Sequence, residues 1–222
     1  MTDLLSPLLQ LLDLGGPVVA LLSLMSVCAL AAIFWKLWQF RAAGVGYHRA
    51  LEAALANWDE GQRARAAEAL AAAPSHVAPV LRAAVLARRT PDEDARVDAM
   101  VEAALTRLER GFRLLDAIAQ TAPLLGLFGT VLGMIEAFRA LQGAGAAVDP
   151  SLLAGGIWVA LLTTAIGLGV AMPTGLALTW FESRVARERL WLDGALARAR
   201  APLAARPDDA AAPRRAVAVH AG

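Results

Sequence analysis

A single cysteine in 222 residues excludes an internal disulfide and any cysteine-based metal cluster built by one chain. That residue, Cys28, sits in an apolar run and reads as ordinary apolar packing. The three histidines, His48, His76 and His220, have no partners at metal-ligand spacing and read as surface residues. Charge is missing altogether from Leu14 to Trp35, from Ala117 to Ile135 and from Ser151 to Phe181. A buried ionisable residue in a span costs roughly 2.5 to 3.5 kcal/mol and usually marks an ion path, so these spans supply no ion-carrying carboxylate of their own. Basic residues are absent before Lys36, which leaves the N-terminal MTDLLSPLLQLLDLGGP without the positive region of a cleaved signal peptide; the first span is expected to be retained.

What is present is hydrophobic. The apolar share is 58% and the mean hydropathy is +0.51, too high for an ordinary soluble domain. Each charge-free stretch is long enough to cross about 30 Å of hydrocarbon, which takes roughly 20 helical residues. The expected fold is an all-α integral membrane protein with three transmembrane helices and long cytoplasmic helical extensions. Its segments are an outer N-terminal stretch over 1–16, spans over 17–40, 117–139 and 152–181, a cytoplasmic helical domain over 41–116, an outer loop over 140–151, a cytoplasmic helix over 182–201 and a disordered tail over 202–222. Of 21 basic residues, eleven fall between Arg41 and Arg113 and eight from Arg184 onward. The positive-inside rule then puts the N-terminus outside and the middle segment and C-terminus in the cytoplasm.

Along the chain, Leu4 to Leu12 reads as a short helix at the outer interface, feeding the first span. Phe34, Trp35, Trp38 and Phe40, with Lys36 and Arg41, make an aromatic and basic anchor at the inner interface. Alanine-rich periodic runs predict helices over 47–58, 61–73 and 77–89, punctuated by Pro74 and Pro79. Thr90, Pro91 and Glu93 form a helix start with a capping box. Val97, Val101, Leu105, Leu108, Phe112 and Leu115 then recur at three or four, predicting one unbroken rod into the second span, bent at most near Pro123. Asp149 and Pro150 are a good cap for the third span.

Two stripes of small residues stand out. Pro123, Gly126, Thr130, Gly133 and Ala137 share one helical face, and Gly129 with Gly133 forms a GxxxG pair. Ala160, Thr164, Gly167, Ala171 and Thr174 make a second such face. Antiparallel helices joined by a short loop let these stripes face each other or a common lumen, with Thr130, Thr163 and Thr164 as its hydroxyls. The plainer alternative is that the threonines bond back to their own helices and the stripes only pack. The glycines follow no strand and fit neither GxGxxG nor Walker A, so no nucleotide or other cofactor is indicated. Basic residues outside the spans are interleaved with acids, and no nucleophile is set up, which leaves catalysis and nucleic-acid binding without support.

The stretches APLLGLFGTVLGM (122–134) and GIWVALLTTAIGLGVAMP (156–173) resemble the MotA, TolQ and ExbB proton-channel family, most closely the three-span ExbB and TolQ branch. The resemblance covers roughly residues 90 to 185. It implies a homopentameric ring around transmembrane helices from an ExbD- or TolR-like partner that carries the proton-binding aspartate. Such motors pass work to a TonB- or TolA-like protein, for outer-membrane transport or envelope maintenance. Thr130 and Thr164 match the threonines that line the family's pore, and Pro123 and Pro173 match the prolines of its second and third spans. Better-known members carry a glutamate five residues before the second threonine, where this chain has Val159. Flagellar-stator chains of the MotA type resemble this one too but have four spans. A purely structural membrane scaffold is the competing reading.

Overall fold

A computed structural model of the protein describes residues 5–88, 90–143 and 150–200. These residues form seven helices: α1 (Leu5–Ala42), α2 (Arg49–Asp59), α3 (Arg63–Ala72), α4 (Ala78–Leu86), α5 (Pro91–Glu109), α6 (Phe112–Gly143) and α7 (Pro150–Arg200). Among the described residues there is no strand. The glycine-rich outer turn with its Asp149 cap, and the tail over 202–222, lie outside the described residues.

Among the described residues, three helical stretches are long and apolar enough to cross a membrane: Gly16–Ala42, Phe112–Gln142 and Leu153–Arg200. The whole of α7, at 51 residues, is about 75 Å long, far more than a bilayer core needs. It contributes to both of the compact units into which the chain divides. The first unit comprises the described residues within Met1–Arg41 and Leu108–Val185, the second those within Ala42–Arg107 and Ala186–Gly222.

The first unit is a bundle of spans. Val18, Leu22 and Ala29 of α1, Ile118 and Ala122 of α6, and Val170 and Ala171 of α7 form its core. Leu24 and Val27, Leu124 and Phe128, and Trp158 and Leu161 are exposed on its outside. An apolar exterior suits lipid, where burial of oil against oil contributes little and close packing must hold helices together. Cys28 is exposed on that exterior rather than packed inside. Within α1 the helical path breaks at Gly16, whose φ of 59° and ψ of −157° belong to a region open essentially to glycine alone.

The expected single rod is broken. α5 ends at Glu109 and α6 starts at Phe112, with Gly111 at φ 89° between them. A left-handed glycine just beyond a helix is a standard stop, and here it overrides an apolar period that continues on both sides. At the other end of α5 the cap is half as expected. Thr90 Oγ1 accepts the Glu93 N–H at 3.4 Å, but the Glu93 carboxylate accepts from the N–H of Arg88 instead of returning to the cap residue.

The second unit holds α2, α3, α4, most of α5 and the last part of α7. Leu51, Leu55, Trp58, Leu70, Leu81, Leu105 and Leu192 are fully buried there. Exposed pairs fasten α7: Arg189 meets Glu102 through two 3.0 Å bonds, and Arg198 meets Glu52 at 2.8 Å and Asp59 at 2.6 Å. Each exposed pair is worth about 0.2 to 1 kcal/mol, so the apolar stripe carries more of the docking.

Candidate functional site: the α6 and α7 pair

The two small stripes meet each other. A Cβ added at Gly126 would stand 2.9 Å from the Thr163 carbonyl oxygen and 3.0 Å from Thr164 Cα. One at Gly133 would stand 3.0 Å from Ala160 Cβ, one at Gly156 2.6 Å from Ala137 Cβ, and one at Gly167 2.6 Å from the Ala122 carbonyl oxygen. These four positions run along α6 and α7 in opposite senses, as an antiparallel pair requires. Each glycine therefore supplies space for the neighbouring backbone.

Gly129 serves a different neighbour pair, since a Cβ there would meet Thr163 Oγ1 at 2.6 Å and Val18 of α1 at 3.0 Å. Thr163 is 2% exposed, and its hydroxyl lies 3.1 Å from Gly126 O across the interface and 2.7 Å from Ala160 O in its own helix. It thus ties α6 to α7. Thr130, partly exposed, donates to Leu127 O of its own helix at 2.6 Å, and Thr174 does the same to Val170 O at 2.7 Å.

Thr164 differs from all of these. Its Oγ1 is buried and has no hydrogen-bond partner among the described residues, although a buried hydroxyl without a partner costs about 1 to 3 kcal/mol. Val159 is half-buried one residue before Ala160. Pro123 and Pro173 lie inside α6 and α7, which continue through them.

Among the described residues the buried polar or charged side chains are Lys36, Thr163, Thr174 and Glu188. Two of these bear on the sequence reading. Lys36 is not an interfacial anchor: it is 1% exposed, donating to Leu108 O at 2.6 Å and Gln39 Oε1 at 2.8 Å. Glu188, hidden among the charges after the third span, is 1% exposed, and His48 and His76 lie against it instead of standing free at the surface. The signal for Glu188 was its register: Phe181, Val185, Glu188, Leu192, Ala195 and Ala199 step by four and three along one buried face.

Three membrane-length helices held by glycine contacts, with hydroxyls but no carboxylate at the paired faces of α6 and α7, define the class as a helical membrane protein. The sequence profile of the MotA/TolQ/ExbB proton channel family matches residues 72–193, more than half of the chain. The chain belongs to that family. It is 36% identical over 126 residues to biopolymer transport protein exbB1 of Vibrio cholerae serotype O1, covering 50% of this chain and 55% of that one. It is 44% identical over 78 residues to the Tol-Pal system protein TolQ of Haemophilus influenzae, 35% of this chain and 34% of that one. With biopolymer transport protein ExbB of Xanthomonas campestris it shares 40% over 77 residues, 35% and 30% of the two chains. The chain thus spans about half or less of the length of these curated relatives.

Proposed function

We propose that this protein is the ExbB- or TolQ-like channel subunit of a motor in the bacterial inner membrane, driven by the proton-motive force. Five copies form a ring with the N-terminus outside and the second unit in the cytoplasm. The ring surrounds helices from an ExbD- or TolR-like partner, and the assembly energises a TonB- or TolA-like protein for outer-membrane transport or envelope maintenance. Thr130 and Thr164 line the lumen, while Thr163 holds α6 to α7 behind them.

The observation that carries this reading is the pair of hydroxyls, Thr130 and Thr164, on the facing stripes of two charge-free spans, in a chain whose residues 72–193 match the proton channel family. A proton from outside neutralises the partner's aspartate, which then leaves one threonine hydroxyl and steps to the next subunit. A hydroxyl suits the step because it solvates a carboxylate without trapping it as a cation would. One charge moving through 100 mV yields about 2.3 kcal/mol, so each working stroke takes several protons.

The scaffold reading draws on the glycine contacts, which show how far the stripes serve packing within one chain. Thr164→Val and Thr130→Val separate the two readings. Both keep the side-chain shape and remove the hydroxyl, and each is expected to abolish partner-dependent transport while the complex still purifies at wild-type size. Full transport in both variants would leave the scaffold standing.

A further inference from the structure

Glu188 of α7 sits in a pocket of the second unit built by two interhelical connections. Its Oε2 accepts the backbone N–H of Gly46 at 3.0 Å and lies 3.4 Å from His48 Nε2. Its Oε1 lies 3.9 Å from His76 Nε2. His48, at the start of α2, stacks flat on Trp191 with ring centroids 3.8 Å apart and planes 8° apart. The Trp191 indole donates to Glu52 Oε1 at 2.8 Å, and Glu52 is neutralised in turn by Arg198.

His76 lies between α3 and α4. Its backbone N–H donates to Ala43 O at 3.2 Å, and its Nδ1 stands 3.0 Å from the same oxygen. A carbonyl only accepts, so Nδ1 carries the hydrogen, and the neutral ring turns the Nε2 lone pair toward the carboxylate. The charged and titratable groups near the carboxylate include His48 from the start of α2 and His76 from the α3–α4 connection, with the Glu52–Arg198 pair behind Trp191 and Arg49 in the adjoining cleft. His48 and Arg49 also line a cleft of about 520 Å³ beside the site, together with Tyr47, Pro74 and Ser75. The cleft provides a route for water and protons.

We propose that Glu188, His48 and His76 form a proton-binding clasp that fastens the 43–48 and 73–77 connections to α7 and releases them on acidification. A proton taken at His76 Nε2 puts a positive charge on a ring that burial already disfavours charging. Burial holds the His76 imidazole below its usual value of 6.5, more than the Ala43 carbonyl raises it. In the released form His76 is in water and binds its proton near pH 6.5.

The released form thus holds more protons below that pH. The clasp's stability is complete above about pH 6.5 and falls as the pH drops toward the fastened-state value, below which it levels off. With one proton coupled, the opening equilibrium rises by up to about tenfold for each pH unit. The clasp is a property of this chain alone and does not depend on its conducting protons.

Hydrogen exchange read by mass spectrometry tests the release, on the full chain in detergent at pH 7.5, 6.5 and 5.5 with intrinsic rates removed. Peptides covering 43–48 and 73–77 are expected to lose up to about tenfold protection between pH 6.5 and 5.5, with no such loss in α6. His76→Gln removes the proton site and should abolish that loss. Histidine NMR tests the cluster directly. Glu188→Gln still accepts the Gly46 N–H, and it should lower the titration midpoints of both His48 and His76. Protection that ignores pH in the wild type, an unchanged loss in His76→Gln, or histidines indifferent to Glu188→Gln would each overturn the clasp.

Discussion

Gly167→Leu is expected to separate α6 from α7, whereas Gly169→Leu, two residues further along the same helix, is expected to fold as the wild type does. At Gly167 the first added atom already falls 2.6 Å from the Ala122 carbonyl oxygen, 3.4 Å from the Ala122 carbonyl carbon and 3.2 Å from Gly126 Cα. All three are backbone atoms, so no rotamer change relieves the clash and the helices themselves must part. Overpacking of this kind costs about 3 kcal/mol or more, and it falls on the contact that sets the spacing of the whole pair. At Gly169 nothing lies within 4 Å. A leucine there adds apolar surface outside and regains about 1 kcal/mol of helix propensity. Thermal unfolding of the purified chain in detergent checks the contrast, and equal melting of the two variants would mean that the glycine contacts do not hold the bundle. A Gly169→Leu chain that folds but no longer assembles would place Gly169 between copies of the chain.

That contrast was only half legible in the sequence. The stripes follow from spacing, because a helix has one periodicity and small residues repeated along it mark where another backbone comes close. Spacing alone could not say whether they meet each other or a lumen, since both options need the same small residues; the distances from Gly126, Gly133 and Gly167 show that they meet. Spans were legible because lipid tolerates no charge over so many residues. The rod failed because apolar residues at 105, 108, 112 and 115 keep helical phase across Gly111, and the period outweighed a stop that one glycine supplies. Lys36, His48 and His76 were misplaced, and Glu188 was passed over, for a shared reason. Charged residues go to water unless something specific holds them, and what holds Lys36 and Glu188 is a carbonyl and a pair of histidines far off in the chain. Their registers on buried faces were visible; their partners were not.

Lys36 gives the second large effect. Its ammonium donates to Leu108 O in the last turn of α5, where carbonyls have no partner in their own helix and a cation complements the negative end of the helix. The rings of Trp35, Phe40 and Phe112 stand 5.3, 5.7 and 4.9 Å from it, and a cation held among ring faces gains further attraction. The turn between α5 and α6 closes on the same side chain, since a Cβ on Gly111 would touch Lys36 Cε at 3.6 Å. Lys36→Met keeps the stem and strands the Leu108 carbonyl, which is expected to cost about 1 to 3 kcal/mol. Lys36→Glu sets an anion against that carbonyl and the ring faces, with an expected loss of about 3 to 5 kcal/mol, the scale seen when a buried charge is left uncompensated. Stability in detergent should therefore fall in the order wild type, Met, Glu, with proteolytic cleavage appearing first at the 110–111 turn. An interfacial anchor would behave otherwise: its ammonium would lie in water, Lys36→Met would melt like the wild type, and Lys36→Glu would cost only a surface charge. Equal melting of all three chains would return Lys36 to the role its neighbours Trp35 and Trp38 suggest in the sequence.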